Sequence, residues 1–461
     1  MKGVSIQHHI NRHISKTHET WQMGTEVVAS YKFPGGSLED LPFNKGDILT
    51  IIKATRDPNW YQAKNSYGRE GMIPANYVQK RQEVSLQTMP WYHGKVSREE
   101  AESLLAGHMI GSFLVRENGH YPGDYTLSLV IPGDVVEHYR VLQTNNKVEV
   151  DGGDLQFDTL LELVEHYEKD ADGLCTRLSK PLWKTGNNFT TVDFKDFERG
   201  GWVINAEYLE IKEPIGKGEF GDVYKGCYNQ QLVAVKQLKD RNRAAQTFLK
   251  EASVMTSMRH PNLVQLIGVV LGENIFLVTE FMGKGNLVEY LRSRGRSVIT
   301  KRDQINFATD TCAGMAYLEA KNLVHRDLAA RNVLVHEDGT AKVSDFGLAK
   351  FESFSQEGGR FPIKWTAPEA IRKNVFTSKS DVWSFGILLW EIYSFGRVPY
   401  PRIPLAEVVR HVERGYRMET PDGCPPEIYQ IMRHTWDIDP NHRPLFQDIL
   451  KMLHNLHATT V

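Results

Sequence analysis

The stretch His325-Arg326-Asp327-Leu328-Ala329-Ala330-Arg331-Asn332 lies between two apolar runs and gathers more reactive side chains than packing requires. A carboxylate such as Asp327 can take a proton from a hydroxyl group. Asn332, five residues on, can turn back to hold a metal ion under phosphates, and Arg331 sets a cation between the two. A second cation closes the strand-like run Val233-Ala234-Val235-Lys236. A lysine in a partly buried cleft needs a counter-charge, and Glu251 is the one acid in Ala245–Met258, which reads as an amphipathic helix. The sequence also allows Glu251 to be a solvated helix acid. Ile215-Gly216-Lys217-Gly218-Glu219-Phe220-Gly221-Asp222-Val223 has the glycine pattern of a turn that approaches phosphates. That pattern alone is weak, because glycine-rich turns also serve dinucleotide folds.

In this order and at these intervals the pieces resemble a protein kinase running from Tyr208 to about Leu456. The resemblance implies ATP and Mg²⁺ (or Mn²⁺) as cofactors. Asp327, Arg331, Lys236 and Glu251 would be the catalytic group, and Asn332 and Asp345, the latter in Ser344-Asp345-Phe346-Gly347, would hold the metal. Residues Ile215 to Val223 would cover the nucleotide. Ala234, the small gatekeeper Thr279, the Glu280 carbonyl and the Met282 amide would surround adenine. Ala329 stands where Ser/Thr kinases usually carry lysine, and with Arg331 this resembles the tyrosine-directed branch. Phe361-Pro362-Ile363-Lys364-Trp365-Thr366-Ala367-Pro368-Glu369 resembles the shelf on which that branch supports a long phenol. Glu369 is expected to pair with Arg443, and Asp381 to brace the catalytic loop from below.

These parts need a scaffold, and 461 residues are too many for one core. Hydrophobic content of 41% with 24% charged residues fits a folded chain, and a net charge of -2 gives no reason to expect nucleic acid. Cys175, Cys227, Cys312 and Cys424 lie far apart, so neither a zinc site nor a disulfide framework is expected. The longest apolar run, Val382 to Phe395, carries Glu391 and follows Asp381, which argues against a membrane span. Met1-Lys2 does not provide the second-position glycine of an N-myristoyl signal, so no direct membrane anchor is expected. Residues 1–23 read as a flexible arm whose His8, His9, His13 and His18 are a compositional hint of metal binding and no more.

Residues 24–82 show short strand-like runs split by turns, and resemble an SH3 β-barrel through Ala29-Ser30-Tyr31-Lys32-Phe33, Asn59-Trp60-Tyr61 and Ile73-Pro74-Ala75-Asn76-Tyr77-Val78. The resemblance implies a polyproline surface of Tyr31, Phe33, Trp60, Pro74 and Tyr77, with Glu39 or Asp40 pairing a ligand arginine. Residues 91–182 resemble an SH2 α+β sandwich through Trp91-Tyr92-His93-Gly94-Lys95 and Gly111-Ser112-Phe113-Leu114-Val115-Arg116-Glu117. Arg116 can fork two bonds to a phosphate, and Arg98, His138 and Arg140 would ring the phosphotyrosine. Asn118 stands where many such domains have serine, and a structural ion pair is the other reading of Arg116. Residues 183–205 read as a polar linker, 206–457 as a bilobal protein kinase fold and 458–461 as a short tail, a multidomain α+β chain in all.

The order SH3, SH2, kinase is shared by several cytoplasmic families. No tyrosine lies between Asp345 and Glu369, or after Tyr429, so neither a phosphotyrosine loop switch nor a tail latch is expected. On this architecture the absences resemble the C-terminal Src kinase (Csk) family, as do Tyr290 to Val298 and Tyr400-Pro401-Arg402-Ile403-Pro404. The resemblance implies phosphorylation of the tail tyrosine of Src-family kinases. It also implies SH2 binding to phosphotyrosine-bearing membrane adaptors, SH3 binding to proline-rich proteins, and a cytoplasmic protein drawn to the inner plasma membrane by those partners. Arg292, Arg294 and Arg296, with Lys301 and Arg302, read either as a solvated helix end or as a dock for acidic groups of a folded substrate. The alternatives are a self-regulated Src- or Tec-type kinase and a non-catalytic SH3/SH2 adaptor.

Overall fold

The structure, a computed structural model, describes residues 21–37, 39–81, 91–121, 123–144, 147–153, 155–157, 160–182, 194–217, 221–238, 241–272, 274–346, 350–351 and 362–459. Residues 1–20 of the expected arm, 183–193 of the linker, Gly218, Glu219, Phe220, and residues 347–349 and 352–361 of the loop without tyrosine lie outside these residues. The chain divides into two compact units, one holding the described residues up to 182 apart from Trp91 and Tyr92, the other those from 194 onward.

In the first unit, β1 (Glu26–Ala29), β2 (Ile48–Ala54), β3 (Trp60–Asn65), β4 (Glu70–Pro74) and β5 (Val78–Lys80) form one antiparallel sheet in the order β4-β3-β2-β1-β5. Alternation along β3 buries Tyr61 and leaves Trp60 half-exposed, as consecutive strand residues must face opposite ways. After it come α1 (Arg98–Leu105), β6 (Phe113–Glu117), β7 (Tyr125–Ile131), β8 (Val135–Thr144), β9 (Lys147–Val150) and α2 (Leu160–Lys169), with the four strands antiparallel in sequence order. A capping box starts α1: the Ser97 hydroxyl accepts the Glu100 N–H at 3.1 Å and Glu100 Oε2 accepts the Ser97 N–H at 2.9 Å.

The second unit opens with α3 (Phe194–Arg199). It continues through β10 (Leu209–Lys217), β11 (Asp222–Tyr228), β12 (Gln231–Gln237), α4 (Arg241–Thr256), β13 (Leu266–Val270) and β14 (Phe276–Glu280), a five-stranded sheet with one helix. Residues 194–204, inside the stretch read as linker, join this core. Phe197, Trp202 and Ile204 are buried, and the Ile204 N–H donates to Val269 O at 3.0 Å while the Val269 N–H donates to Trp202 O at 2.8 Å. Apolar side chains outweigh the surrounding polarity that suggested a linker.

A mainly helical part follows, with α5 (Leu287–Val298), α6 (Lys301–Ala320), β15 (Leu323–Val324), β16 (Val333–Val335), β17 (Ala341–Val343), β18 (Lys350–Phe351), α7 (Pro368–Lys373), α8 (Ser378–Tyr393), α9 (Leu405–Glu413), α10 (Pro426–Thr435) and α11 (Phe446–Thr459). Every residue of α8 from Ser380 to Tyr393 is buried, which its apolar composition on all sides requires. Two of those residues, Asp381 and Glu391, are acids. Among the described residues no helix is long and apolar enough to cross a membrane.

Candidate functional site

The loop between β15 and β16 is held by the two buried acids of α8. Asp381 accepts the His325 N–H on Oδ2 at 2.6 Å and the Arg326 N–H on Oδ1 at 3.0 Å. Arg326 sits at φ 70°, a strained value that these two bonds help to hold. Full burial pushes the Asp381 carboxyl up to about 6, although His325 and Arg326 oppose the rise. The Asp327 N–H reaches His325 Nδ1 at 3.3 Å, so the proton of that ring belongs on Nε2, which lies 2.9 Å from Ser344 O. One histidine thereby ties the Asp327 loop to the residue before Asp345.

The Asp327 carboxylate receives the Arg331 guanidinium on one oxygen and Asn332 Nδ2 on the other, the latter at 2.8 Å. Asn332 Nδ2 also donates to Asp327 O at 2.7 Å, which turns its Oδ1 away from these bonds. Arg331 lies 4.7 Å over the Trp365 ring. Glu391 Oε2 accepts both the Ala330 N–H and Trp365 Nε1–H at 2.9 Å, joining the shelf to the catalytic loop. Burial pushes Glu391 up to about 7, with the two bonds and the charge of Arg331 pulling the other way. Sequence reasoning did not assign Glu391 a role, yet an acid inside an apolar run was the signal that could have found it.

Across the cleft, Lys236 Nζ of β12 donates to both oxygens of Glu251 on α4 at 3.0 and 3.1 Å, and stands 3.9 Å from Asp345 Oδ1. Glu251 is 4% exposed, which removes the solvated-acid reading. Ala234 pairs with Thr279 in the β12–β14 register, and Ile215, Gly216 and Lys217 end β10 opposite Asp222 and Val223 of β11. Met282 is buried. The Glu280 side chain, which main-chain binding left unassigned, accepts the Gln265 N–H at 2.8 Å and Lys342 Nζ at 2.7 Å. Asp345 and Asn332 offer the hard side-chain oxygens that Mg²⁺ takes, an ion normally bound by one or two protein oxygens plus phosphate, and the Ser344 N–H, donating to Asn332 O at 2.8 Å, ties their two segments together. The expected supports are present: Arg443 grips Glu369 with two bonds of 2.6 and 2.9 Å.

In the first unit, Arg116 on β6 is 8% exposed and its Nε has no hydrogen-bond partner among the described residues. Burial, with Arg98 nearby, holds its guanidinium below the ordinary value. His138 bridges Ser128 Oγ at 2.9 Å and Glu102 Oε1 at 3.0 Å, and Arg98 Nε also donates to Glu102 Oε1 at 2.8 Å. Arg140 is differently placed: Nε and Nη2 grip Asp124 Oδ2 at 2.9 and 2.6 Å, and its guanidinium stacks 3.5 Å from the Tyr121 ring centre. Asn118 donates to Thr126 Oγ1 at 3.1 Å and accepts the N–H groups of His120 and Tyr121 at 3.0 and 3.1 Å, so it shapes the loop that follows β6. In the barrel, Tyr31, Phe33 and Tyr77 pack edge to face at 5.9 and 5.7 Å, and Phe33 meets Trp60 at 6.0 Å. Pro74, expected at that surface, is buried opposite Trp60. Asp40 Oδ2 accepts the N–H groups of Gly36 and Ser37 at 2.6 and 2.9 Å, and Glu39 is exposed.

The three arginines of the basic cluster do not form one stripe, because Gly295 at φ 59° breaks α5 between them. Arg292 Nε donates to Gly396 O at 2.7 Å, Arg294 lies 5.9 Å from the Tyr290 ring, and Arg296 pairs with Asp422 at 3.5 Å.

Comparison with known proteins agrees with this geometry. Residues 209–453 match the family described as protein tyrosine and serine/threonine kinase, 91–167 the SH2 domain and 28–75 the SH3 domain. A Caenorhabditis elegans relative, tyrosine-protein kinase csk-1, is 44% identical over 94% of this chain and 90% of its own. The Mus musculus megakaryocyte-associated tyrosine-protein kinase is 45% identical over 94% and 86%, respectively. The Drosophila melanogaster tyrosine-protein kinase Abl is 42% identical over 93% of this chain but 27% of its own length.

Proposed function

The chain belongs to the Csk family of protein tyrosine kinases, and from that premise we propose that it transfers the γ-phosphate of ATP to the C-terminal regulatory tyrosine of Src-family kinases, thereby restraining them. The observation that carries the catalytic part is the closed pair of Lys236 and Glu251 at 3.0 Å, with Asp345 3.9 Å from the same ammonium. A lysine so held presents its charge to nucleotide phosphates without reorganising. Asp327 takes the proton of the acceptor phenol, while Arg331 and Asn332 fix its two oxygens. Trp365, bonded to Glu391 at 2.9 Å and stacked on Arg331, forms the shelf that sets the phenol's depth. Mg²⁺ bound at Asp345 and Asn332 Oδ1 would neutralise the charge that develops on the transferring phosphoryl.

The remaining sites bring the enzyme to its targets. Arg116, with Arg98 and His138, binds phosphotyrosine on membrane adaptors, and Arg140 joins them by exchanging Asp124 for phosphate. Tyr31, Phe33, Trp60 and Tyr77 bind proline-rich proteins. The protein is cytoplasmic and reaches the inner plasma membrane through these partners. Arg294 and Arg296 dock the folded substrate kinase through its acidic groups. Phosphotyrosine binding also raises turnover, by way of Trp202. Basal turnover measured with and without a phosphopeptide tests that last point, and no change would leave recruitment alone. Loss of ATP-dependent phosphorylation in Lys236→Met would exclude the adaptor alternative. Activation by an autophosphotyrosine would instead favour a self-regulated kinase.

A further inference from the structure

One face of the sheet formed by β6, β7 and β8 collects four basic side chains. Arg116 on β6, Thr126 on β7 and Arg140 on β8 stand opposite one another in register, so the two arginines share that face, two strand spacings or about 10 Å apart. His138 lies two residues before Arg140 on β8 and therefore points the same way. Arg98, the first residue of α1, joins them from the helix: Arg98 Nε and His138 Nε2 meet on a single oxygen, Glu102 Oε1, at 2.8 and 3.0 Å. Three of the four groups are thus already held by acids of the protein itself, because Asp124 takes Arg140. Arg116 is the exception. Among the described residues it forms no ion pair, its Nε has no hydrogen-bond partner, and Glu99 and Glu102 act on it only at a distance.

Asp124 has a second task, since its Oδ1 accepts the Gln143 N–H at 3.1 Å and so ties its loop to β8. Glu102 has no such task. Ser97 and Glu100 cap α1 without it. Its pair with Arg98 also runs against the helix: a cation in the first turn faces the positive end of the helix dipole, and a base four residues ahead of an acid is the weaker order for such a pair. The two side chains are 64% and 42% exposed, so their attraction adds little to stability. Helix stability does not account for this arrangement, whereas control of the basic cluster does.

We propose that Glu102 is an internal competitor for the phosphate of a phosphotyrosine ligand. Its carboxylate holds Arg98 and His138 in the free protein, yields them when phosphate settles on Arg116, and thereby lowers the affinity of the site. The proposal rests on the reading of Arg116 as the phosphotyrosine anchor. A phosphate dianion brings three strong acceptor oxygens to donors that now crowd onto one, so the exchange favours the ligand, but each donor must first be released. Glu102 acts through Arg98 and His138 and is a positioning residue.

The test is calorimetry of the full chain with a peptide carrying one phosphotyrosine, at a pH of about 7.5, where the phosphate is a dianion. Glu102→Gln keeps an oxygen for Arg98 or His138 and removes the charge. It should bind the peptide about three- to fivefold more tightly than the wild type, the size expected of an exposed ion pair. The gain should shrink at about 0.5 M salt, and again in an Arg98→Ala background, where one of the held donors is gone. Glu102→Ala should shift affinity in the same direction and stands in if the glutamine variant melts early. A scaffolding role for Glu102 gives the opposite sign, weaker binding in both variants, and overturns the proposal; so does a gain that neither salt nor Arg98→Ala diminishes. Arg116→Lys separates this proposal from the reading beneath it. If that variant binds at least about tenfold more weakly while Glu102→Gln binds no more tightly than the wild type, the competitor role is overturned and the phosphotyrosine site stands. If Arg116→Lys leaves affinity unchanged, the site reading falls and the proposal falls with it.

Discussion

Glu391 carries the most quantitative test of how α8 holds the catalytic loop. Burial raises its carboxyl from the ordinary 4.5 to about 7 in the fold. Below pH 4.5 it is neutral in folded and unfolded chains alike, and it contributes no penalty. Between 4.5 and 7 the unfolded chain releases a proton that the folded chain retains, so this group's contribution to stability falls as pH rises, and the loss is complete above 7. The gap is worth about 3 kcal/mol, at about 1.4 kcal/mol per pH unit. In Glu391→Gln the titration is gone, and the amide oxygen can occupy the place of Oε2, where both the Ala330 and Trp365 donors converge at 2.9 Å. The variant should therefore gain on the wild type as pH rises from 5 to 8. For a unit of this size that is a relative rise in Tm of about 6–12 °C. Melting curves of the full chain, followed through the transition of the kinase unit at several pH values, measure it. A Tm difference independent of pH would refute the view that Glu391 titrates near neutrality.

Glu251→Gln keeps one hydrogen bond to Lys236 but removes the charge that opposes the pull of Asp345 at 3.9 Å. Loss of roughly 3 kcal/mol of a buried pair predicts a fall in kcat/KM of about a hundredfold in steady-state assays, and a fall under tenfold would contradict the assigned role. Arg116→Lys replaces a buried fork by a point charge, so phosphotyrosine peptide binding, measured by calorimetry, should weaken at least about tenfold with turnover of a short peptide substrate unchanged. Unchanged affinity would return Arg116 to a structural role. Arg294→Ala/Arg296→Ala should spare short peptides and slow phosphorylation of a whole substrate kinase by about tenfold or more; equal loss on both would refute docking.

Much of the phosphate-transfer site could be read in advance because it depends on a few residue types at fixed spacing. Asp327 bonds Arg331 and Asn332, and Lys236 Nζ lies 3.9 Å from Asp345 Oδ1, contacts that the spacing of their motifs allows. The supports were less legible. Asp381 was expected under the loop, but Glu391 was noticed only as an obstacle to membrane insertion, since a one-dimensional run does not show that its neighbours are Ala330 and Trp365. Residues 194–204 read as linker because glycines and charges dominate locally, while Trp202 and Ile204 find their backbone and apolar partners some sixty residues away, around Val269 and Val270. Nor could sequence show that Asp40 bonds the Gly36 and Ser37 amides. The pairing of Arg140 with Asp124 and the break in α5 at Gly295 were likewise invisible, because both depend on loop geometry.

The central claim is a reaction with one preferred acceptor. Incubating the purified chain with MgATP and a catalytically inactive Src-family kinase, then mapping the modified residue by mass spectrometry, tests it most directly. The account predicts phosphate on the single C-terminal tail tyrosine and none when Lys236→Met replaces the wild type. Phosphate placed mainly on an activation-loop tyrosine, or none transferred by well-folded wild-type protein, would contradict it.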